Sequence, residues 1–174
     1  SVSIPDGIKY ICARAFYDCR SLRNVSIPES VTKIEVSAFE GCEKLIKNDG
    51  GISYVDKWAV NCESIVSTAE LRADTVGIAN YAFNYCIYLK TVTIPDGVKS
   101  IGDHAFGECR KITDIIIPES VTSIGENAFG KCVGLTSITF NGTKEEWQRI
   151  EKRDGWKNNT GEFTVYCTDG TLAK

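Results

Sequence analysis

Apolar residues recur along this chain in a fixed order with fixed gaps. Leu22, Val25 and Ile27 are followed by Pro28, Val31, Ile34, Ala38-Phe39, Cys42 and Leu45. The same order returns at Leu89, Val92, Ile94, Pro95, Val98, Ile101, Ala105-Phe106, Cys109 and Ile112. It returns again through Ile115, Ile117, Pro118, Val121, Ile124, Ala128-Phe129, Cys132 and Leu135. Phe106 and Phe129 are 23 residues apart, and all 4 prolines (Pro5, Pro28, Pro95, Pro118) hold one place in that period. Phe16, Phe39 and Phe83 complete the series of Ala-Phe pairs. Self-similarity at a period of roughly 20–50 residues predicts stacked coils that share one continuous core.

Within a coil, the alternation at Val25 and Ile27 predicts a half-buried strand. Pro28 ends it, because proline cannot donate to a ladder. Glu29-Ser30 turns the chain, and Val31 and Ile34 re-enter the core as a short extended piece. Ser37-Ala38-Phe39 fits one helical or 3₁₀ turn. Stacking would set the strands side by side in a parallel sheet about 4.8 Å apart. The predicted array covers residues 1–140.

Two stretches depart from the pattern. In the third coil, about residues 45–71, Val60 stands where Phe is expected and Cys62 comes one place early. Lys47-Asn48-Asp49-Gly50-Gly51 carries turn residues in place of Ile-Pro, and Arg72 follows the next strand where proline should stand. A bend or loop is expected here. From Asn141 to Lys174 a capping segment is predicted. Thr143 and Glu146 have capping-box spacing, so a helix should run to about Lys152 with Trp147 and Ile150 on one face. Asp154-Gly155 stops it, Phe163, Val165 and Cys167 alternate as a last strand, and Asp169-Gly170 turns away. Such a cap would cover the apolar surface and open sheet edge of a solenoid end.

Composition changes the picture in three ways. The net charge of −3, without a basic stripe, leaves nucleic-acid binding no electrostatic footprint. No apolar run of about 18 residues exists to insert in a membrane. The 8 cysteines would suggest a disulfide framework in a short secreted chain. Yet Cys19, Cys42, Cys86, Cys109 and Cys132 each follow a Phe by three residues, so they fall on equivalent, stacked positions. The expected state is a ladder of free buried thiols, with inter-coil disulfides or a metal site as alternatives. The chain has no methionine and begins inside a repeat, so it is expected to be a piece of a longer protein.

The pattern C-x-x-L-x-x-V-x-I-P-x-x-V-x-x-I-G-x-x-A-F resembles the BspA-like leucine-rich repeat family. The tail Phe140-Asn141-Gly142-Thr143…Trp147…Asp154-Gly155-Trp156…Val165-Tyr166-Cys167-Thr168-Asp169-Gly170 is similar to the closing segment of bacterial members. The resemblance implies an α/β, β-rich, right-handed leucine-rich repeat solenoid, with a parallel strand sheet on one face and short helical turns elsewhere. It also implies a secreted or cell-surface protein of a host-associated microbe, acting in adhesion or recognition of a protein or glycan. No catalytic residues, cofactor or metal ligands transfer with it.

The residues themselves offer little chemistry. His104 is the one histidine. It shares a variable slot with Arg14, Ser37, Tyr81 and Asn127, which reads as solvent-facing, and no oxyanion or orienting motif accompanies it. Asp154, Asn158, Asn159 and Glu162 lack the EF-hand spacing. Asn24, Asn141 and Asn158 begin glycosylation sequons with no further support. Two surfaces remain as binding candidates. One is the outward strand row, with Ser26, Thr91, Thr93, Asp114, Ile116, Ser137 and Thr139, which the resemblance makes the concave face. The other is an aromatic group around the irregular coil, Trp58, Tyr85 and Tyr88 with Tyr54 and Tyr81, which could equally fill the core where the repeat loses its Phe. The leading expectation is a non-enzymatic recognition module; the alternative is a structural spacer presenting another domain.

Overall fold

The structure, a computed structural model, describes residues 1–172. Each regular coil contributes strands to two separate parallel ladders. On the first face, Val2–Ser3 pairs with Val25–Ser26, and Thr68–Glu70 with Thr91–Thr93. Asp114–Ile117, Ser137–Phe140 and Thr164–Cys167 pair in order, closed by antiparallel Gly170–Leu172. The second face holds the pieces after the proline turn. Tyr10–Ile11 pairs with Lys33–Ile34, and a longer sheet runs through Gly77–Ile78, Ser100–Ile101, Ser123–Ile124 and Glu151–Lys152. A parallel sheet was therefore expected on one face and is found on two. Ile34, Ile78, Ile101 and Ile124 point inward from the second and are buried.

The Ala-Phe segments are runs of hydrogen-bonded turns, not helical turns. Arg14, Ser37, Tyr81, His104 and Asn127 all have positive φ, as do Asp18, Gly41, Tyr85, Glu108 and Lys131 four residues on. The left-handed conformation costs a non-glycine residue roughly 1 kcal/mol or more. Its return is direction: the amides of this segment point along the stack. Tyr81, Phe83 and Tyr85 donate to the carbonyls of Asp103, Ala105 and Gly107. His104, Phe106 and Glu108 donate to Glu126, Ala128 and Gly130, and Arg14, Phe16 and Asp18 to Val36, Ala38 and Glu40. This third ladder is what a helical turn could not supply, since its amides would bond within the coil.

Under the turns lies the core. Phe83 stacks on Phe106 at 5.0 Å and Phe106 on Phe129 at 5.5 Å between ring centres. Phe16 stacks on Phe39 at 5.1 Å. Three thiols reach back one coil to a Phe carbonyl: Cys109 Sγ donates to Phe83 at 3.1 Å, Cys132 to Phe106 at 3.0 Å and Cys42 to Phe16 at 3.0 Å. Every cysteine in the described residues is free, and Cys42, Cys86, Cys109 and Cys132 are buried. Cys19 is not; it lies exposed in the first coil.

The third coil is neither bend nor loop. Lys47–Asp49, Ile52–Val55 and Trp58–Cys62 form an antiparallel meander, and Trp58-Ala59 joins the second-face sheet beside Gly77-Ile78. Ala59, not Val60, thus falls in line with Ile78, so Val60 does not hold a Phe position. The meander has two buried sides. Ile52, Tyr54, Ala59 and Cys62 belong to the large core of the later coils. Val55 and Trp58 belong to a smaller core with Ile34, Phe39 and Leu45.

At the far end the capping box forms at Thr143 and Glu146, but the helix spans only Lys144–Arg149. Glu151–Lys152 is recruited to the second-face sheet instead. Trp147 packs on Phe140 and Trp156.

Phe106→Ala should destabilise the protein by about 3–5 kcal/mol, since the ring is sandwiched and its loss leaves a cavity; a loss under about 1 kcal/mol in denaturant melts would contradict the stacked core. In the native protein Cys42, Cys86, Cys109 and Cys132 should resist alkylation while Cys12 and Cys19 react. Burial pushes the Cys132 thiol up to about 12, so little thiolate is present. Intact mass before and after denaturation decides the matter.

Candidate functional surface

The strand-face candidates take up the outward row in part. Thr68 lies beside Thr91, and Asp114, Ser137 and Thr164 lie in line. In the neighbouring row Glu70 lies beside Thr93, and Ile116, Thr139 and Tyr166 follow. Thr91, Thr93, Asp114, Ile116 and Thr139 are exposed, and Ser137 is half-buried. Hydrogen-bonded pairing is interrupted between Thr91–Thr93 and Asp114–Ile117, although the strands lie side by side. Ser26 is exposed on the separate pair of N-terminal strands, and the meander stands between it and the rest. There Asp56 Oδ2 accepts from the Ile27 amide at 2.9 Å.

Four residues of this surface escaped the sequence reading: Thr68, Glu70, Thr164 and Tyr166. Alternation about the inward Ala69 and Val165 places these outward. Tyr166 and Ile116, 47% and 51% exposed, flank Thr139, so the row has two apolar contacts.

The aromatic group divides. Trp58 is only 3% exposed and cannot offer its ring to a ligand. It fills the space over Gly77, where a Cβ would come within 2.5 Å of the indole. Tyr54 is buried too; its hydroxyl accepts from the Arg72 amide at 3.1 Å, and the Arg72 guanidinium lies 4.4 Å from its ring centre. Arg72 replaces proline because this coil needs that amide and that cation. Tyr85 and Tyr88 remain on the outer surface, with Lys111 Nζ 5.1 Å from the Tyr88 ring centre. Tyr81 stacks on His104 at 4.7 Å, so the histidine is half-covered by an aromatic partner rather than facing solvent alone.

A concavity of about 670 Å³ lies on the second face. Its centre is Asp103, which accepts from Lys33 Nζ at 2.7 Å, Asn80 Nδ2 at 3.3 Å and the Glu126 amide at 2.9 Å. Arg153 Nη1 stands 3.6 Å away. Lys33 comes from the second coil and Asp103 from the fifth, so this ion pair ties the two blocks on either side of the meander. The surrounding Glu35, Glu151 and Arg149 leave no excess of either sign. The groove offers neither a nucleophile–base pair nor a grouping of three metal-ligating side chains among the described residues. No described helix is long and apolar enough to cross a membrane.

The model of the BspA type leucine-rich repeat region matches residues 1–72 and 60–152, in 6 copies. The chain belongs to this family. Its fold is shared with a leucine-rich repeat protein of Eubacterium ventriosum, at a TM-score of 0.55 and 24% identity over 80% of this chain and 41% of that one. The pneumococcal vaccine antigen PcpA also has a TM-score of 0.55, at 14% identity over 96% of this chain and 56% of that one. The chain thus spans about half the length of these two structures, and at such identities the likeness is one of fold. A search of curated proteins finds no match.

Burial raises the pKa of Asp103, but the bonds from Lys33 and the Glu126 amide, with the charges of Lys33 and Arg153, outweigh it and hold the carboxyl below the usual range. A depressed carboxylate contributes stability above the unfolded value of about 3.9, lost as pH falls through the folded value. Asp103→Asn should therefore lower the melting temperature at neutral pH, with a deficit that shrinks below about pH 4. A deficit constant with pH would mean that the charge is not what matters.

Proposed function

We propose that this chain is a non-enzymatic recognition module of a secreted or cell-surface protein, binding a partner protein or glycan of a host or neighbouring microbe through its first strand face. One observation carries this reading. The rows Thr68–Thr91 with Glu70–Thr93, and Asp114–Ser137–Thr164 with Ile116–Thr139–Tyr166, present short polar side chains and two exposed apolar ones on a backbone held by ladder bonds. Pre-ordered strands reduce the conformational entropy lost on binding, and an apolar or aromatic contact within a polar surface suits a small interface. Membership of a repeat family that mediates protein interactions supports the same reading, and so does the absence of any catalytic motif in the sequence. Thr91, Thr93, Asp114, Ile116, Ser137 and Thr139 are the proposed contacts; Ser26 would join only a ligand long enough to cross the meander.

The exposed Tyr85 and Tyr88 favour a second reading, in which the outer aromatic surface binds instead. Screening against host-matrix proteins and a glycan array comes first. Against any saturable hit, Thr93→Arg with Ile116→Arg should weaken affinity at least tenfold, about 1.4 kcal/mol, and Tyr85→Ala with Tyr88→Ala should not. The opposite result in folded variants would move the site to the aromatic surface. A chain with no hit would be a spacer.

A further inference from the structure

The turn ladder has a vacancy. Where one Ala-Phe turn stacks on another, three amides donate to three carbonyls of the next; the last turn, against the closing segment, makes two such bonds, from Phe129 to Trp156 and from Lys131 to Asn158. The second coil offers the equivalent amides of Ser37, Phe39 and Gly41, and among the described residues they meet no acceptor. The fourth coil offers the equivalent carbonyls of Asn80, Ala82 and Asn84, and among the described residues these meet no donor. Between the two coils the chain spends its residues on the meander and makes no Ala-Phe turn. The stack of phenyl rings is interrupted at the same level: Phe39 stacks only on Phe16 and Phe83 only on Phe106.

The missing turn leaves a cleft of about 330 Å³, at the lower end of ligand sites, which run roughly 300–1,000 Å³. One wall is the second coil's turn with its row of donors. The opposite wall is Ala79, Asn80 and Tyr81 of the fourth coil; of the three open carbonyls only that of Asn80 belongs to a lining residue, and Ala82 and Asn84 follow it along the same turn. Ile46 and Val60 supply apolar surface. The coils converge at one point, where the Asn80 amide donates to the Ile34 carbonyl at 2.9 Å, so the walls are fixed relative to one another.

We propose that this cleft binds a peptide segment of a partner protein, whose main chain takes the place of the missing turn. Open amides on one coil and open carbonyls on the next are together complementary to a polypeptide backbone, which carries both; this is main-chain augmentation transferred from a sheet edge to a turn. The apolar surface adds a preference for a small residue followed by an aromatic one, the pair that every regular coil places at this level. This site is distinct from the strand face, and the two readings stand or fall separately.

The probe is a blocked synthetic heptapeptide with the sequence of residues 125–131, which contains the Ala-Phe pair and no cysteine. In the free protein the amides of Ser37, Phe39 and Gly41 should exchange with solvent faster than those of Phe83 and Phe106. Adding the peptide should shift and protect those three, with saturation below about 1 mM. A peptide N-methylated at the positions of Asn127 and Phe129, which would donate to Asn80 and Ala82, should bind at least tenfold more weakly. So should the parent peptide to Val60→Trp, which fills the cleft from a partly exposed position. The proposal is overturned if the peptide binds no better than a scrambled one, or if N-methylation leaves affinity unchanged. It is also overturned if the same amides shift with the protein's own concentration, which would give the cleft to a second copy.

Discussion

Everything in this molecule depends on a constant register between one coil and the next. Hydrogen bonds run along the stack in two strand ladders and one turn ladder, and between regular coils all three keep the same offset. The phenyl rings and thiols are held to that offset as well, because the rings stack on their equivalents within each block and the thiols of Cys42, Cys109 and Cys132 donate to the Phe carbonyl one coil back. No coil has a core of its own, so apolar burial and backbone pairing are satisfied together or not at all. The left-handed residues belong to the same constraint. They are locally unfavourable, and they persist because they turn amides out of the coil and into its neighbour. Gly41, in one of these slots at φ +78, also shows how closely the turns approach: a Cβ there would lie 2.7 Å from Asp18 Oδ1.

Much of this was legible in the sequence, because a period announces itself. The spacing of Phe83, Phe106 and Phe129 revealed the ring stack, and the cysteines three residues on revealed the thiol ladder. Thr143 and Glu146 marked the capping box from their spacing alone. What stayed hidden was whatever the period does not encode. A left-handed slot that accepts Arg14, Tyr81 and His104 has no residue signature, so the turns read as helical. The pieces at Ser100-Ile101 and Ser123-Ile124 are too short to show alternation, so a second sheet could not be told from a connecting segment.

The third coil shows the opposite error. Aligning Val60 with Phe39 obeyed the period where the chain had abandoned it. The local evidence favoured a hairpin: Asn48-Asp49-Gly50-Gly51 is a turn signal, and Ile52 and Tyr54 alternate after it. Because the meander is buried on both sides, its large residues serve two cores. Trp58 therefore went inward, and of the aromatic group only Tyr81, Tyr85 and Tyr88 reached the surface. On the strand face the candidates were placed by alternation, which a ladder enforces, and the same rule extended to Tyr166 brings in the second apolar contact.

The shared offset of the three ladders governs how such a chain can change length. Adding or removing a whole period moves every later coil up or down one place and leaves each ladder, ring and thiol with a partner. An insertion of any other length inside a regular coil would shift strands, turns and core out of step together. Two stretches are free of that penalty: the meander, where the turn ladder and ring stack stop, and the closing segment, where the helix Lys144–Arg149 takes up the extra residues while Ser123 still pairs with Glu151 and Ser137 with Thr164. Growth of the array by duplication of intact coils, with irregular insertions gathered at these two levels, is the history that its bonding pattern permits.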